Sequence, residues 1–141
     1  MKQTIIIIIG LPASGKSTFI EQNYSDRIVF DDYHKYDNKS FESSIYYSDF
    51  VKTITDGNNV VMSDISYCKE ERLNEIEQKI KEFKSDIEIV KIYFDNKPEL
   101  CKKNVLCRNR ETAKIEIDFI DRISPYYKIP QNIIPLEIKT K

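Results

Sequence analysis

The chain has 141 residues, 40% hydrophobic and 32% charged, with a formal net charge of −1. Those values describe one globular domain with a real core; they exclude a protein that coats long stretches of nucleic acid, which needs many cationic phosphate contacts, and the longest apolar run, Ile5–Ile9, is too short for a membrane span or secretory leader. The three cysteines, Cys68, Cys101 and Cys107, are odd in number and lack CxxC spacing, so they read as thiols of a reducing, cytoplasmic setting rather than as disulfides or a zinc site.

Thr4–Ile9 is a continuous β-branched run without polar alternation, which predicts a parallel strand buried on both faces. Gly10–Gly15 breaks it, and Lys16–Tyr24 reads as a helix. Ile28–Asp31 is a second short strand ending in acid. A polar stretch, Tyr33–Ser40, precedes a helix over Phe41–Thr55, where Phe41, Ile45, Val51 and Ile54 form an approximate apolar stripe and Gly57 supplies the stop. Asn59–Met62 is the third strand, closed by Ser63–Asp64. Lys69–Lys84 carries the clearest amphipathic period, through Leu73, Ile76, Ile80 and Phe83. Ile87–Phe94 is the fourth strand. Asp95 or Asn96 caps the next helix, which has Pro98 in its first turn and ends near Cys107. A further helix spans Glu116–Ser124. Ile133–Ile138 forms a last short strand within a tail, residues 125–141, that Pro125, Pro130 and Pro135 leave looser than the rest. Strands alternating with helices predict a single three-layer α/β domain over residues 1–141, with a mainly parallel sheet of four to five strands.

Gly10-Leu-Pro-Ala-Ser-Gly-Lys-Ser17, followed by Thr18, matches the eight-residue Walker A pattern. Its glycines let the backbone curl until consecutive N–H groups converge on phosphate oxygens, and the helix opening near Lys16 adds the positive end of its dipole. Gly10, Pro12, Ala13, Ser14, Gly15, Lys16, Ser17 and Thr18 are therefore the candidate nucleotide contacts. Lys16 has the reach to span the β- and γ-phosphates, and the Ser17 hydroxyl is the candidate Mg²⁺ ligand. A glycine-rich turn that happens to contain Lys-Ser is the plain alternative. Placement between a buried strand and a helix favours the phosphate loop of a P-loop NTPase of the nucleoside/nucleotide kinase type.

Ligands of open parallel sheets bind beyond the carboxyl ends of strands, and Asp31, Asp32 and Asp64 fall at such ends. Asp31 is a candidate base for an attacking hydroxyl. Asp64 closes an apolar strand in the manner of a Walker B element, where it holds a metal's water shell or a substrate group. For all three, capping a turn or helix is the alternative role. Between Lys102 and Lys114 five basic residues face one acid, Glu111. The lysines read as a solvated helix face, whereas Arg108 and Arg110 sit where a helix gives way to a polar stretch, about residues 108–116, that can cover the phosphates as a short lid. His34, the single histidine, is either an acceptor-phosphate contact or an exposed loop residue without a role.

Together these residues resemble the polynucleotide 5′-kinase and zeta-toxin group of P-loop kinases, above all the kinase domains of bacteriophage polynucleotide kinases. The likeness runs from Thr4 to about Tyr127. It comprises the phosphate loop, Asp31-Asp32-Tyr33, Ser63-Asp64, Phe94-Asp95 followed by Pro98-Glu99-Leu100, and Arg110-Glu-Thr112 leading to Ile117-Asp118. The resemblance implies that ATP and Mg²⁺ are used, that Asp31 is the general base on an acceptor 5′-hydroxyl, that Asp32, His34 and Asp64 line the acceptor side, and that Arg110 is the lid arginine. His34 stands where the phage type has arginine, Phe30 precedes the acid pair where arginine is frequent, and Ile65-Ser66 follows Asp64 where Thr-Asn is usual. With the near-neutral net charge, these departures keep two alternatives open beside the nucleic-acid 5′ end as partner. One is a small hydroxyl-bearing acceptor, such as a nucleoside, nucleotide or sugar; the other is a nucleotide-gated binding module without phosphotransfer.

Overall fold

The computed structural model describes residues 2–31 and 47–139, with Asp31 described by its backbone alone. Four strands, β1 (Thr4–Ile9), β2 (Ile28–Asp31), β3 (Val60–Ser63) and β4 (Glu88–Tyr93), form one parallel sheet in the order β2-β3-β1-β4. The helices between and after them are α1 (Lys16–Asn23), α2 (Tyr47–Thr55), α3 (Glu70–Phe83), α4 (Pro98–Arg108) and α5 (Ala113–Ile123). Among the described residues no helix is long and apolar enough to cross a membrane.

β1 is unbroken isoleucine because it runs through the middle of the sheet and has no solvated face. Ile5, Ile7 and Ile9 share a cluster with Phe50 and Ile54 of α2 and with Leu73, Ile76 and Ile80 of α3, while Ile6 and Ile8 pack with Ile20 of α1. α1 on one side, and α2 and α3 together with Cys101 and Val105 of α4 and Ile120 and Ile123 of α5 on the other, give the three layers read from the alternating pattern. Each of these side chains removed from water contributes on the order of 1.5–3 kcal/mol before its entropy loss. α3 adds Glu70 and Glu71 in its first turn, where acid complements the helix dipole. α4 and α5 pack together as a hairpin joined by residues 109–112, and Asn109, at φ 53°, ends α4 in the left-handed conformation.

The elements match the pattern-based boundaries to within a few residues, with four differences. First, the fifth strand reduces to a single bridge between Phe94 and Leu136. Leu136 donates its amide to the Tyr93 carbonyl and accepts from the Asp95 amide, but Pro135 beside it has no N–H to extend the ladder. Second, the tail is tied down rather than loose. Tyr127, buried, donates its hydroxyl to the carbonyls of Ile9 and Phe94. Third, neither Asp95 nor Asn96 caps α4, whose N-cap is Lys97; Asn96 instead donates to the Ser124 and Tyr127 carbonyls and holds the tail against the end of β4. Fourth, a 3₁₀ turn over Ile65–Cys68 follows β3, in a stretch for which the sequence pattern predicts no element. Asp32, His34 and the first part of the helix read over Phe41–Thr55 lie outside the described residues.

Candidate functional site

The central position of β1 decides where the phosphate loop goes. Gly10 leaves the sheet between the ends of β3 and β4, at the carboxyl edge where a doubly covered parallel sheet has its open crevice. A Cβ on Gly10 would lie 2.6 Å from Ser14 Oγ and 3.0 Å from Phe94 Cβ, so no larger residue fits the turn. Gly15 stands at φ 105° as the N-cap of α1, a conformation that costs an L side chain roughly 1–2 kcal/mol. Ala13 takes a similar conformation, φ 63°, without being glycine, so the loop carries some backbone strain of the kind found at ligand sites.

α1 opens directly behind the loop, so the positive end of its dipole faces the turn. Lys16, the first residue of that helix, is buried and bends back to donate to the carbonyls of Gly10 at 2.9 Å and Leu11 at 2.8 Å. Ser14 Oγ is buried and has no hydrogen-bond partner among the described residues. A buried, unpartnered hydroxyl costs free energy unless an acceptor arrives. Orphan donor, cationic side chain and amide-lined turn together fit a polyphosphate. Ser17 and Thr18 are exposed at the start of α1. Among the described residues no group of three or more His, Cys, Asp or Glu forms a ready-made cation cage.

The acids behave differently from one another. Asp64 is fully buried directly after β3, and one carboxylate oxygen accepts from the Ser66 amide at 3.0 Å and from the Ser66 hydroxyl. It therefore caps the 3₁₀ turn, the structural role weighed against the functional one, while standing at the strand end beside β1. Asp31 pairs in register with Ser63, and Ser63 with Ile8. The backbone thus places Asp31 across two strand spacings from β1, roughly 10 Å, with β3 and Asp64 between. It does not directly adjoin the loop.

Arg108 and Arg110 come together on one acid. Each approaches Glu116 Oε1 at 3.7 Å, with side-chain exposures of 18%, 59% and 3% for Arg108, Arg110 and Glu116. The stretch read as a lid, 108–116, is the end of α4, a short turn and the start of α5. One turn before Arg108 on the same face of α4, buried Asn104 donates to the Ala13 carbonyl at 3.1 Å and to the Lys139 carbonyl at 3.0 Å. This amide joins the phosphate loop, α4 and the tail. Replacing Asn104 with Ala leaves two carbonyls without that donor and is expected to lower stability by about 1–3 kcal/mol in chemical denaturation.

Beside the loop, a cleft of about 520 Å³ opens between α1 and the tail, lined by Ser14, Thr18, Phe19, Gln22, Leu136 and Glu137 among others. On the other side of the loop, burial pushes the Cys68 thiol up to about 12 and the Cys101 thiol up to about 11, against the pull of nearby Lys16 on both. Burial likewise raises Tyr127. None of the three is poised to exchange a proton or act as a nucleophile near neutral pH.

Pattern reading missed Asn104 and Glu116. A signal existed for the second: with Ile120 and Ile123 it forms the buried stripe of α5, so a charge occupies an apolar register. Asn104 had no such marker, because its partners are backbone carbonyls distant in the chain.

No family model matches the chain. It is 33% identical over 135 residues to an uncharacterized protein of Acanthamoeba polyphaga mimivirus, R277, which covers 92% of this chain and 89% of that one. The crystal structure of APE1195 superposes with a TM-score of 0.61 at 19% identity, over 98% of this chain and 86% of the other. A chain of the PezAT chromosomal toxin–antitoxin system of Streptococcus pneumoniae superposes with a TM-score of 0.53 at 19% identity over 82% of this chain, which spans 56% of that chain's length. These likenesses show the fold alone, an α/β fold with a parallel sheet.

Proposed function

We propose that this chain, which belongs to the family of the mimivirus protein R277, is an ATP-dependent P-loop kinase that transfers the γ-phosphoryl group to a hydroxyl, by preference the 5′-hydroxyl of a polynucleotide. The observation that carries the reading is the phosphate loop itself. It combines an enclosed Ser14 hydroxyl without acceptor, a lysine held at the loop by its own carbonyls, and the start of a helix behind them.

In this reading the loop amides hold the β-phosphate and Lys16 exchanges the Gly10 and Leu11 carbonyls for phosphate oxygens. The nucleoside lies in the cleft between α1 and the tail. Ser17 would hold Mg²⁺, with Asp64 within its water shell, and the ion when bound offsets charge on the transferring phosphoryl group. Asp31 accepts the proton of the incoming hydroxyl as the acceptor oxygen–Pγ bond forms. The bond from Pγ to the β,γ-bridging oxygen breaks, and ADP leaves with that oxygen. Arg108 and Arg110 lie over the phosphates. Catalysis of this kind is mostly positioning and electrostatics.

A small-molecule acceptor is the second reading, favoured by the net charge of −1 and by His34, Phe30 and Ile65-Ser66 at positions where the polynucleotide kinase pattern differs. A labelled-ATP assay with Mg²⁺ against 5′-hydroxyl DNA, 5′-hydroxyl RNA, nucleosides, nucleotides and sugars tests both. Label on an oligonucleotide supports the first reading and label on a small molecule alone replaces it with the second. Label on none of them, with ATP bound, turns the assignment to a nucleotide-gated binding module. If an oligonucleotide is the acceptor, its KM is expected to rise steeply with salt as phosphate contacts are screened, by about tenfold or more between 50 and 200 mM. A salt-insensitive KM points to the small acceptor.

A further inference from the structure

Glu116 has no part in the mechanism above, yet it is the buried carboxylate on which both candidate phosphate-facing arginines converge. We infer that Glu116 is a positioning residue, which holds Arg108 and Arg110 in place to meet the terminal phosphate of a bound nucleoside triphosphate. The inference rests on the nucleotide-binding reading of the loop and adds the element that aims its arginines.

Three observations carry it. Glu116 lies in the first turn of α5, 3% exposed, in the stripe that otherwise buries Ile120 and Ile123. A carboxylate there is costly without counter-charge, and both guanidiniums approach the same oxygen at 3.7 Å. Second, Arg108 follows Asn104 by one turn of α4, and Asn104 bonds to Ala13 of the phosphate loop. The guanidinium therefore projects from the face of α4 that touches the loop. Cys101, one turn further back, feels both Lys16 and Arg108 electrostatically, which places the two cations around one region. Third, Arg108 Nε is buried with no acceptor among the described residues. Held through its terminal nitrogen, the guanidinium keeps a buried donor unsatisfied, an arrangement that an arriving phosphate oxygen completes. Arg110, 59% exposed beyond the left-handed Asn109, is the more exposed of the pair and the one with room to turn onto the γ-phosphate.

The carboxylate has a second effect. Glu116 supplies opposite charge to both guanidiniums and so keeps the arginine end of the hairpin in position. Replacing Glu116 with Gln preserves volume and removes only that charge, so both arginines lose the anion that orders them.

The test is the ratio of ADP to ATP dissociation constants, measured by fluorescence titration of the full chain with labelled nucleotides and Mg²⁺. This ratio isolates the contribution of the terminal phosphate. In the unsubstituted protein ATP is expected to bind more tightly than ADP. Glu116→Gln is expected to reduce the ratio at least about fivefold, with ADP affinity nearly constant. Glu116→Asp should recover part of it, and Glu116→Gln should have no further effect in an Arg108→Ala/Arg110→Ala background. A ratio unchanged in a folded Glu116→Gln protein overturns the inference, as does an equal loss of ATP and ADP affinity or a full effect of Glu116→Gln without the arginines. If Glu116→Gln does not fold, the Arg108→Ala/Arg110→Ala protein decides: a retained ratio overturns the inference and a lost one supports it. Failure to bind either nucleotide in the unsubstituted protein would instead overturn the nucleotide-site reading on which the inference rests.

Discussion

Lys16→Ala is expected to lower phosphotransfer by at least about a hundredfold, the scale seen when one preorganised donor to developing charge is removed. Among the described residues the Lys16 ammonium donates to the Gly10 and Leu11 carbonyls of its own loop, so its loss should leave the sheet and its core intact and the protein folded by circular dichroism. The cost falls on the transition state because the ammonium follows the charge as it shifts toward the β,γ-bridging oxygen. Initial rates at saturating ATP and acceptor measure it. Turnover at the unsubstituted rate would remove the loop from the chemistry altogether.

Asp31→Asn should reduce the rate by about 10²–10⁴-fold, the usual range for a lost general base, while the dissociation constant for ATP moves by less than about twofold. The split follows from topology. β3 intervenes between β2 and β1, with Asp31 in register with Ser63 and Ser63 with Ile8. In the proposed reading, a residue two strands from the loop serves the acceptor rather than the β-phosphate. Parallel titration and turnover measurements separate the two effects. Equal losses in rate and ATP affinity would assign Asp31 to nucleotide binding instead. A pH–rate profile adds a second check, since a carboxylate base should give an acid limb that the asparagine variant lacks.

Much of this arrangement was legible in the sequence because it is local. Five consecutive isoleucines after Thr4 mark a strand covered on both faces, and Gly10 through Ser17 specify the turn and helix start by their backbone demands. The Leu73–Ile76–Ile80 stripe gave α3 almost residue for residue. What escaped is non-local. Asn104 acts through carbonyls of Ala13 and Lys139, and Asn96 through those of Ser124 and Tyr127; no spacing along the chain announces either. Pro125, Pro130 and Pro135 punctuate the tail as read, yet Tyr127 and Leu136 anchor it, each through two bonds to backbone groups rather than through a ladder. Arg108 and Arg110 were visible as a basic pair at a helix end. The acid that gathers them became visible only once α4 and α5 folded against each other.

Crystals grown with Mg²⁺ and a non-hydrolysable ATP analogue give the most direct test of the phosphate-loop assignment. The β-phosphate should lie within hydrogen-bonding distance of the amides of residues 13–17, with Ser14 Oγ or Lys16 Nζ turned toward it and Lys16 released from the Gly10 and Leu11 carbonyls. A triphosphate seated elsewhere, or a loop still bonded to Lys16 at saturating analogue, would contradict it.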